Sequence, residues 1–165
     1  MKKVISICGS DVDDISLSKI ALDVAEQVGR LIARKGGVLA CGGQGGVMKA
    51  ACKGAKEENG ITVGILPYSK DDANDCIDIA IPTNIGNVRN YLVANSGEAV
   101  IAIGGRWGTL NEISYCMITE KPLILIKGTG GIVDQIINAN LMQDIESHYF
   151  IANTAEEAVE KAFEI

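Results

Sequence analysis

What most limits the folds open to this chain is where its glycines stand. Short apolar runs at residues 4–8, 38–41, 98–103 and 123–126 each end in glycine: Gly9, then Gly42-Gly43-Gln44-Gly45-Gly46, then Gly104, Gly105 and Gly108, then Gly128, Gly130 and Gly131. A stretch with mostly helical apolar spacing follows each cluster. Strands that alternate with helices call for a parallel sheet, and right-handed crossovers place helices on both of its faces. The expected fold is α/β, a doubly wound, Rossmann-like parallel sheet in one domain spanning residues 1–165. Hydrophobic residues make up 47% of the chain and aromatic residues only 4%. The apolar mass is therefore Ile, Val, Leu and Ala, which suits strands buried on both faces.

The remaining elements follow from the same pattern. A first helix capped by Asp14 or Ser16 runs to the Gly36-Gly37 stop, and a second covers residues 47–58 before Asn59-Gly60. Strands are expected at 61–66, 77–81 and 149–152, with a polar loop at 68–75. Helices are expected at 84–96, at 109–119, from Gly131 to about residue 140, and at 154–163.

Carboxyl ends of parallel strands share one edge of the sheet, where open α/β folds bind ligands. The glycine clusters fall on that edge. Tight turns explain one or two glycines per loop, less easily four in five between Gly42 and Gly46. Backbone amides at a helix N-terminus, with no Cβ in the way, suit a phosphate. The first loop is not the dinucleotide fingerprint, because Met48 stands where G-x-G-x-x-G needs its last glycine and the loop follows the second strand. No G-K-[ST] occurs, which excludes a P-loop triphosphatase. In the second loop Arg106 is either a fixed charge for an anion or a solvated surface residue. Trp107 either covers a turn or offers a base a stacking surface.

The net charge of −6 argues against nucleic acid as the main partner, so any anion must be met locally. No apolar run approaches a membrane span, and residues 4–8 are too short a run for a secretion signal. A cytoplasmic protein is expected. The five cysteines include no C-x-x-C pair and stand in apolar runs, as reduced buried thiols do. With one histidine, His148, read as a half-buried strand residue, neither a metal site nor a bound cofactor is expected.

Gly42-Gly43 with Val47-Met48, then Ala55, Gly60, residues 63–67, Arg89, and residues 104–112 resemble the LOG-like (LONELY GUY, SLOG) Rossmannoid family. The resemblance runs from about residue 4 to 126 and is closest to the family's short, uncharacterised branch. The family includes nucleoside 5′-monophosphate phosphoribohydrolases, molybdenum cofactor carrier proteins and distant relatives of DNA processing protein A. In its phosphoribohydrolases an arginine on a helix precedes P-G-G-x-G-T-x-x-E, where the glycines and threonine hold the 5′-phosphate. Arg89 matches the arginine, Glu112 the glutamate, and Gly108-Thr109 the G-T. Gly104 replaces the proline, Arg106 the second glycine, and Asn90 the lysine beside the arginine; the first loop is one residue shorter.

The resemblance implies catalytic roles for Arg89 and Glu112. It implies phosphate contacts from Gly9, Ser10, Gly42, Gly43, Gly45, Gly46, Gly104, Gly105, Arg106, Gly108 and Thr109. Two functions stay open: metal-free hydrolysis of a nucleoside monophosphate to base and ribose 5-phosphate, or non-catalytic carriage of a phosphate-bearing ligand such as a nucleotide or molybdenum cofactor. A homo-oligomer built on dimers is implied too, with Tyr91, Leu92 and Met117 as interface candidates. On the residues alone, Thr109-x-x-Glu112 is also a capping box, and Arg89 also suits a surface ion pair with Glu98 or a nearby acid.

Overall fold

The computed structural model describes residues 1–142 and 149–165; His148 lies outside them. Seven parallel strands form one sheet: β1 (Val4–Gly9), β2 (Val38–Cys41), β3 (Ile61–Leu66), β4 (Ile79–Pro82), β5 (Ala99–Ile103), β6 (Leu123–Ile126) and β7 (Tyr149–Ala152), in the order β4-β3-β2-β1-β5-β6-β7. The helices are α1 (Lys19–Arg34), α2 (Gly46–Glu57), α3 (Asn90–Ser96), α4 (Trp107–Ile118), α5 (Gly131–Asn138) and α6 (Ala155–Glu164). This is the doubly wound α/β sheet expected. All six strand pairings are parallel.

Alternation along the strands assigns each face of the sheet its helices. Ile5 and Ile7 of β1, with Ile101 and Ile103 of β5, pack under α1, α2 and α6. Cys8, Val100 and Ala102 point the other way, under α3, α4 and α5. Helix α1 repeats its buried residues at Ala21, Ala25, Val28 and Ile32, the spacing of one helical face. Ser18 caps it, accepting from the Ala21 amide at 3.1 Å.

Helices α1 and α2 meet backbone to backbone. A Cβ added at Gly29 would overlap the Ala51 carbonyl, and one at Gly54 the Glu26 carbonyl. Glycine is what allows this approach. Around the contact, Glu26, Arg30, Lys53 and Glu57 form a network of ion pairs.

The chain leaves β1 toward β4 on one side, then returns to place β5 on β1's other flank. That reversal is a topological switch point, and the crevice beyond the carboxyl ends of β1 and β5 is the place such folds offer a ligand.

Candidate functional site

Glycine brings the two strand ends together at the switch point. A Cβ on Gly9 would strike the Ile103 carbonyl and Val47. Beyond Gly9, the Ser10 hydroxyl accepts from the Gly105 amide at 2.7 Å, tying the β1 loop to the β5 loop. The Gly104 amide donates to Thr129 Oγ1 at 2.9 Å. A cavity of about 470 Å³ opens above this seam, walled by the loop after β1, the turn before α3 and the first turns of α4.

Helix α4 starts at Trp107, with Arg106 at the cap position and no side chain capping it. The expected capping box is therefore absent. Thr109 is third in the helix, 2% exposed, and Glu112 stands further in, out of reach of the cap amide. The reason lies in Gly104 (φ 60°) and Gly105 (φ 87°), whose left-handed backbone turns the chain into the helix two residues early. The first amides of a helix have no intrahelical partner. At Trp107, Gly108 and Thr109 they stand at the cavity wall. Arg106 is exposed beside them, its guanidinium 3.4 Å from the Asp13 carbonyl.

Arg89 and Glu112 line the same cavity and are buried, 6% and 5% exposed. Arg89 is thus not the surface partner of Glu98, which instead accepts from the Val4 amide. Its Nη1 lies 3.7 Å from Glu112 Oε1 and donates to Asn90 Oδ1 at 2.9 Å; its Nη2 donates to Gln44 Oε1 at 3.1 Å. Its Nε has no hydrogen-bond partner among the described residues. Burial pushes the Glu112 carboxyl up to about 8, with the Arg89 guanidinium and the Cys8 thiol pulling it back only in part. At neutral pH Glu112 is mainly an uncharged acid, and Arg89 is a buried cation held by amide oxygens.

The first glycine loop acts differently from the second. Among its residues Gln44 reaches the cavity, and Gly42, Gly43, Gly45 and Gly46 stand behind it. A Cβ at Gly42 would come within 2.7 Å of Arg89 Nη1, and one at Gly46 (φ 55°) would overlap the Ser10 carbonyl. These glycines make room for Arg89 and for the loop after β1. Asn74 braces the loop by donating through Nδ2 to the carbonyls of Gly43 at 3.1 Å and Gln44 at 2.7 Å. Of the other expected residues, Gly9, Ser10, Arg106, Gly108 and Thr109 line the cavity, and Gly105 lines a smaller adjoining one of about 270 Å³.

Sequence reading missed Asp11, Asp13, Asp14, Asn87 and Asn111, which also line the main cavity. Asp14 is the most constrained of them. It is 6% exposed; Oδ1 accepts from the Ser16 amide and hydroxyl at 2.8 and 2.6 Å, and Oδ2 has no partner among the described residues. Burial raises its carboxyl, but the bonds from Ser16, the nearby Ser10 hydroxyl and the charge of Arg106 prevail and hold it below the usual range. The signal available was three aspartates in four residues directly after β1. Among the described residues no cluster of three or more His, Cys, Asp or Glu is placed to hold a metal ion, and no helix is long and apolar enough to cross a membrane.

Two solved structures share this framework over nearly their whole length. The molybdenum cofactor binding protein of the phototrophic bacterium Rippkaea orientalis is 36% identical over 99% of this chain and 97% of its own, with a TM-score of 0.87. The molybdenum cofactor carrier protein of Chlamydomonas reinhardtii is 29% identical over 99% and 98%, with a TM-score of 0.83. An uncharacterized protein of Archaeoglobus fulgidus is 45% identical over 111 residues, 64% of this chain and 74% of that protein. DNA processing protein A of Helicobacter pylori, 14% identical with a TM-score of 0.71 over 98% of this chain and 80% of its own, shares the fold alone. The model of the SLOG cluster4 family matches residues 2–159. With these matches and the Arg89, Gly108, Thr109 and Glu112 motif in one cavity, the chain belongs to the SLOG cluster4 family.

Proposed function

We propose that this protein binds and carries a small phosphate-bearing ligand, a nucleotide or the molybdenum cofactor, with the phosphate at the N-terminus of α4. The observation that carries the reading is the uncapped start of α4. Three amides without intrahelical partners and the Arg106 charge stand at the wall of a cavity of about 470 Å³, at the switch point of the sheet. The Rippkaea and Chlamydomonas proteins, named for binding and carrying molybdenum cofactor, support cargo of this kind.

Hydrolysis of a nucleoside 5′-monophosphate is the second reading, and the buried Arg89–Glu112 pair favours it. A carboxyl titrating near 8 holds a proton to give to the base nitrogen as the glycosidic C–N bond breaks; water adds to the sugar carbon and its proton returns to the carboxylate, as general acid–base catalysis requires. Asn90 in place of the enzymes' lysine favours carriage over turnover. Assembly as a homo-oligomer through Tyr91, Leu92 and Met117, and a cytoplasmic setting, belong to the same proposal.

Thermal denaturation tests it. Nucleoside monophosphates or a pterin phosphate should raise Tm by mass action, and the matching nucleosides much less, with Arg106→Ala reducing the difference. Equal shifts with and without phosphate would refute the phosphate seat. Free base on chromatography would move the hydrolase reading into the lead.

A further inference from the structure

We propose that the ligand's phosphate is internal: a phosphodiester or pyrophosphate linkage held at the start of α4, with an organic group on either side, one in each cavity. The inference rests on the reading of α4 as the phosphate seat and names the class of ligand that seat takes. The smaller cavity, about 270 Å³, adjoins the larger one, and the two share Asp14, Arg106 and Trp107. The amide of Trp107 and the charge of Arg106 therefore lie at the junction of two lobes and not at the end of one. A ligand whose phosphate is terminal would fill a single lobe.

The lobes differ in chemistry. The larger is polar, with Arg89, Glu112 and the carboxamides of Gln44, Asn90 and Asn111 on its walls. The smaller is walled by Ile15, Trp107 and Ile132, with Gln135 at its edge. Ile15 is 97% exposed and Trp107 77% exposed. Trp107 thus covers no turn, and a Trp and an Ile left bare beside an anion seat fit a planar ring stacked between them. Asp14 supplies an independent sign of a ligand at the junction. It lines both lobes, is buried, and its Oδ2 is unpartnered among the described residues. An unpaired buried acceptor is costly, and an N–H or O–H group of the ligand would relieve it. The occupant of the smaller lobe is accordingly the second half of the same ligand, an aromatic heterocycle joined through the phosphate.

Isothermal titration with three guanosine probes tests this. Guanosine 5′-monophosphate reports the phosphate seat, guanosine 5′-diphosphate controls for added charge, and diguanosine 5′,5′-diphosphate carries a nucleoside at each end; the adenosine series repeats the comparison. The two-ended compound should bind about tenfold or more tightly than the diphosphate, the effect of one base stacked on an aromatic side chain. Ile15→Ser and Gln135→Trp, at residues lining only the smaller lobe, should bring that ratio toward one. A ratio near one in the wild type, with the monophosphate bound, overturns the internal phosphate and leaves the seat standing. Failure of every probe in both series overturns the internal linkage and a nucleotide at the seat; a pterin phosphate that still raises Tm leaves the seat itself standing. A large ratio that neither variant changes overturns the assignment of the second half to this lobe. Loss of oligomers in light scattering with Ile15→Ser, again with the ratio unchanged, overturns it in favour of a second copy of this chain.

Discussion

Replacing Glu112 with glutamine should stabilise the protein increasingly as pH rises. The carboxyl titrates near 8 in the folded chain, against 4.5 for an unburied glutamate. Between those values the folded state holds a proton that the unfolded state has released, so raising pH favours unfolding. The contribution is complete below 4.5 and lost as pH rises toward 8. At about 1.4 kcal/mol per pH unit, the wild type loses on the order of 2 kcal/mol by pH 6 and 3 kcal/mol by pH 7. Glutamine keeps the shape and an oxygen for Arg89 but does not ionise. The variant should gain on the wild type by about 1 kcal/mol per pH unit between pH 5 and 7, or roughly 2–4 °C in Tm per unit for a chain of this size. Urea denaturation followed by circular dichroism at pH 5, 6, 7 and 8 measures the gap. The opposite case is as definite. If Glu112 were ionised and matched to Arg89 at 3.7 Å, the substitution would strand a buried cation and cost about 3–5 kcal/mol. A variant less stable than the wild type by a constant amount across this range would refute the reasoning.

Three further outcomes follow from packing and exposure. Gly29→Ala should lower stability by about 1–3 kcal/mol in thermal denaturation, because the added methyl meets the Ala51 carbonyl and forces α1 from α2; an unchanged Tm would refute the close contact. Cys76, half-buried where the other four cysteines are buried, should be the first thiol to react with a disulfide reagent in native protein, slowly because burial and Asp75 push its thiol up, and denaturant should release all five. Light scattering at micromolar concentration should give a dimer or larger, since Tyr91 and Leu92 are 44% and 39% exposed on α3; a monomer would remove that claim.

The strands were the most legible elements. Residues 38–41 and 61–66 are read and found with the same bounds, because a short apolar run between glycine or proline stops admits few alternatives. Helix starts were harder, since side chains that read as caps found other work. The first helix does not begin after Asp14 or Ser16: the Asp14 carboxylate binds the Ser16 amide in a local turn and delays the helix to Ser18. The helix read over 84–96 is broken by left-handed backbone at Asn84 (φ 56°) and Gly86 (φ 58°), leaving a 3-10 turn, Gly86–Arg89, before α3. For the site, spacing named Arg89 and Glu112 through a resemblance, but their burial side by side needed the fold. Gln44 carries no pattern that marks it as a cavity wall, and the run of aspartates after β1 does not single out Asp14; only the loops around β1 and β2 bring them there.

The backbone contact between α1 and α2 gives the cleft one stiff jaw. With Gly29 and Gly54 allowing no slack and Gly46 seated against Ser10, α2 is a fixed reference surface. The opposite jaw, residues 104–109, is held by hydrogen bonds to Ser10, Asp13 and Thr129 and from the amides of Ile132 and Val133, and its exposed members are Arg106, Trp107 and Gly108. Adjustment to a ligand of a different size therefore falls on those exposed residues and on the loop after β1. The recognition surface can be remodelled there while the load-carrying helix pair and sheet stay as they are.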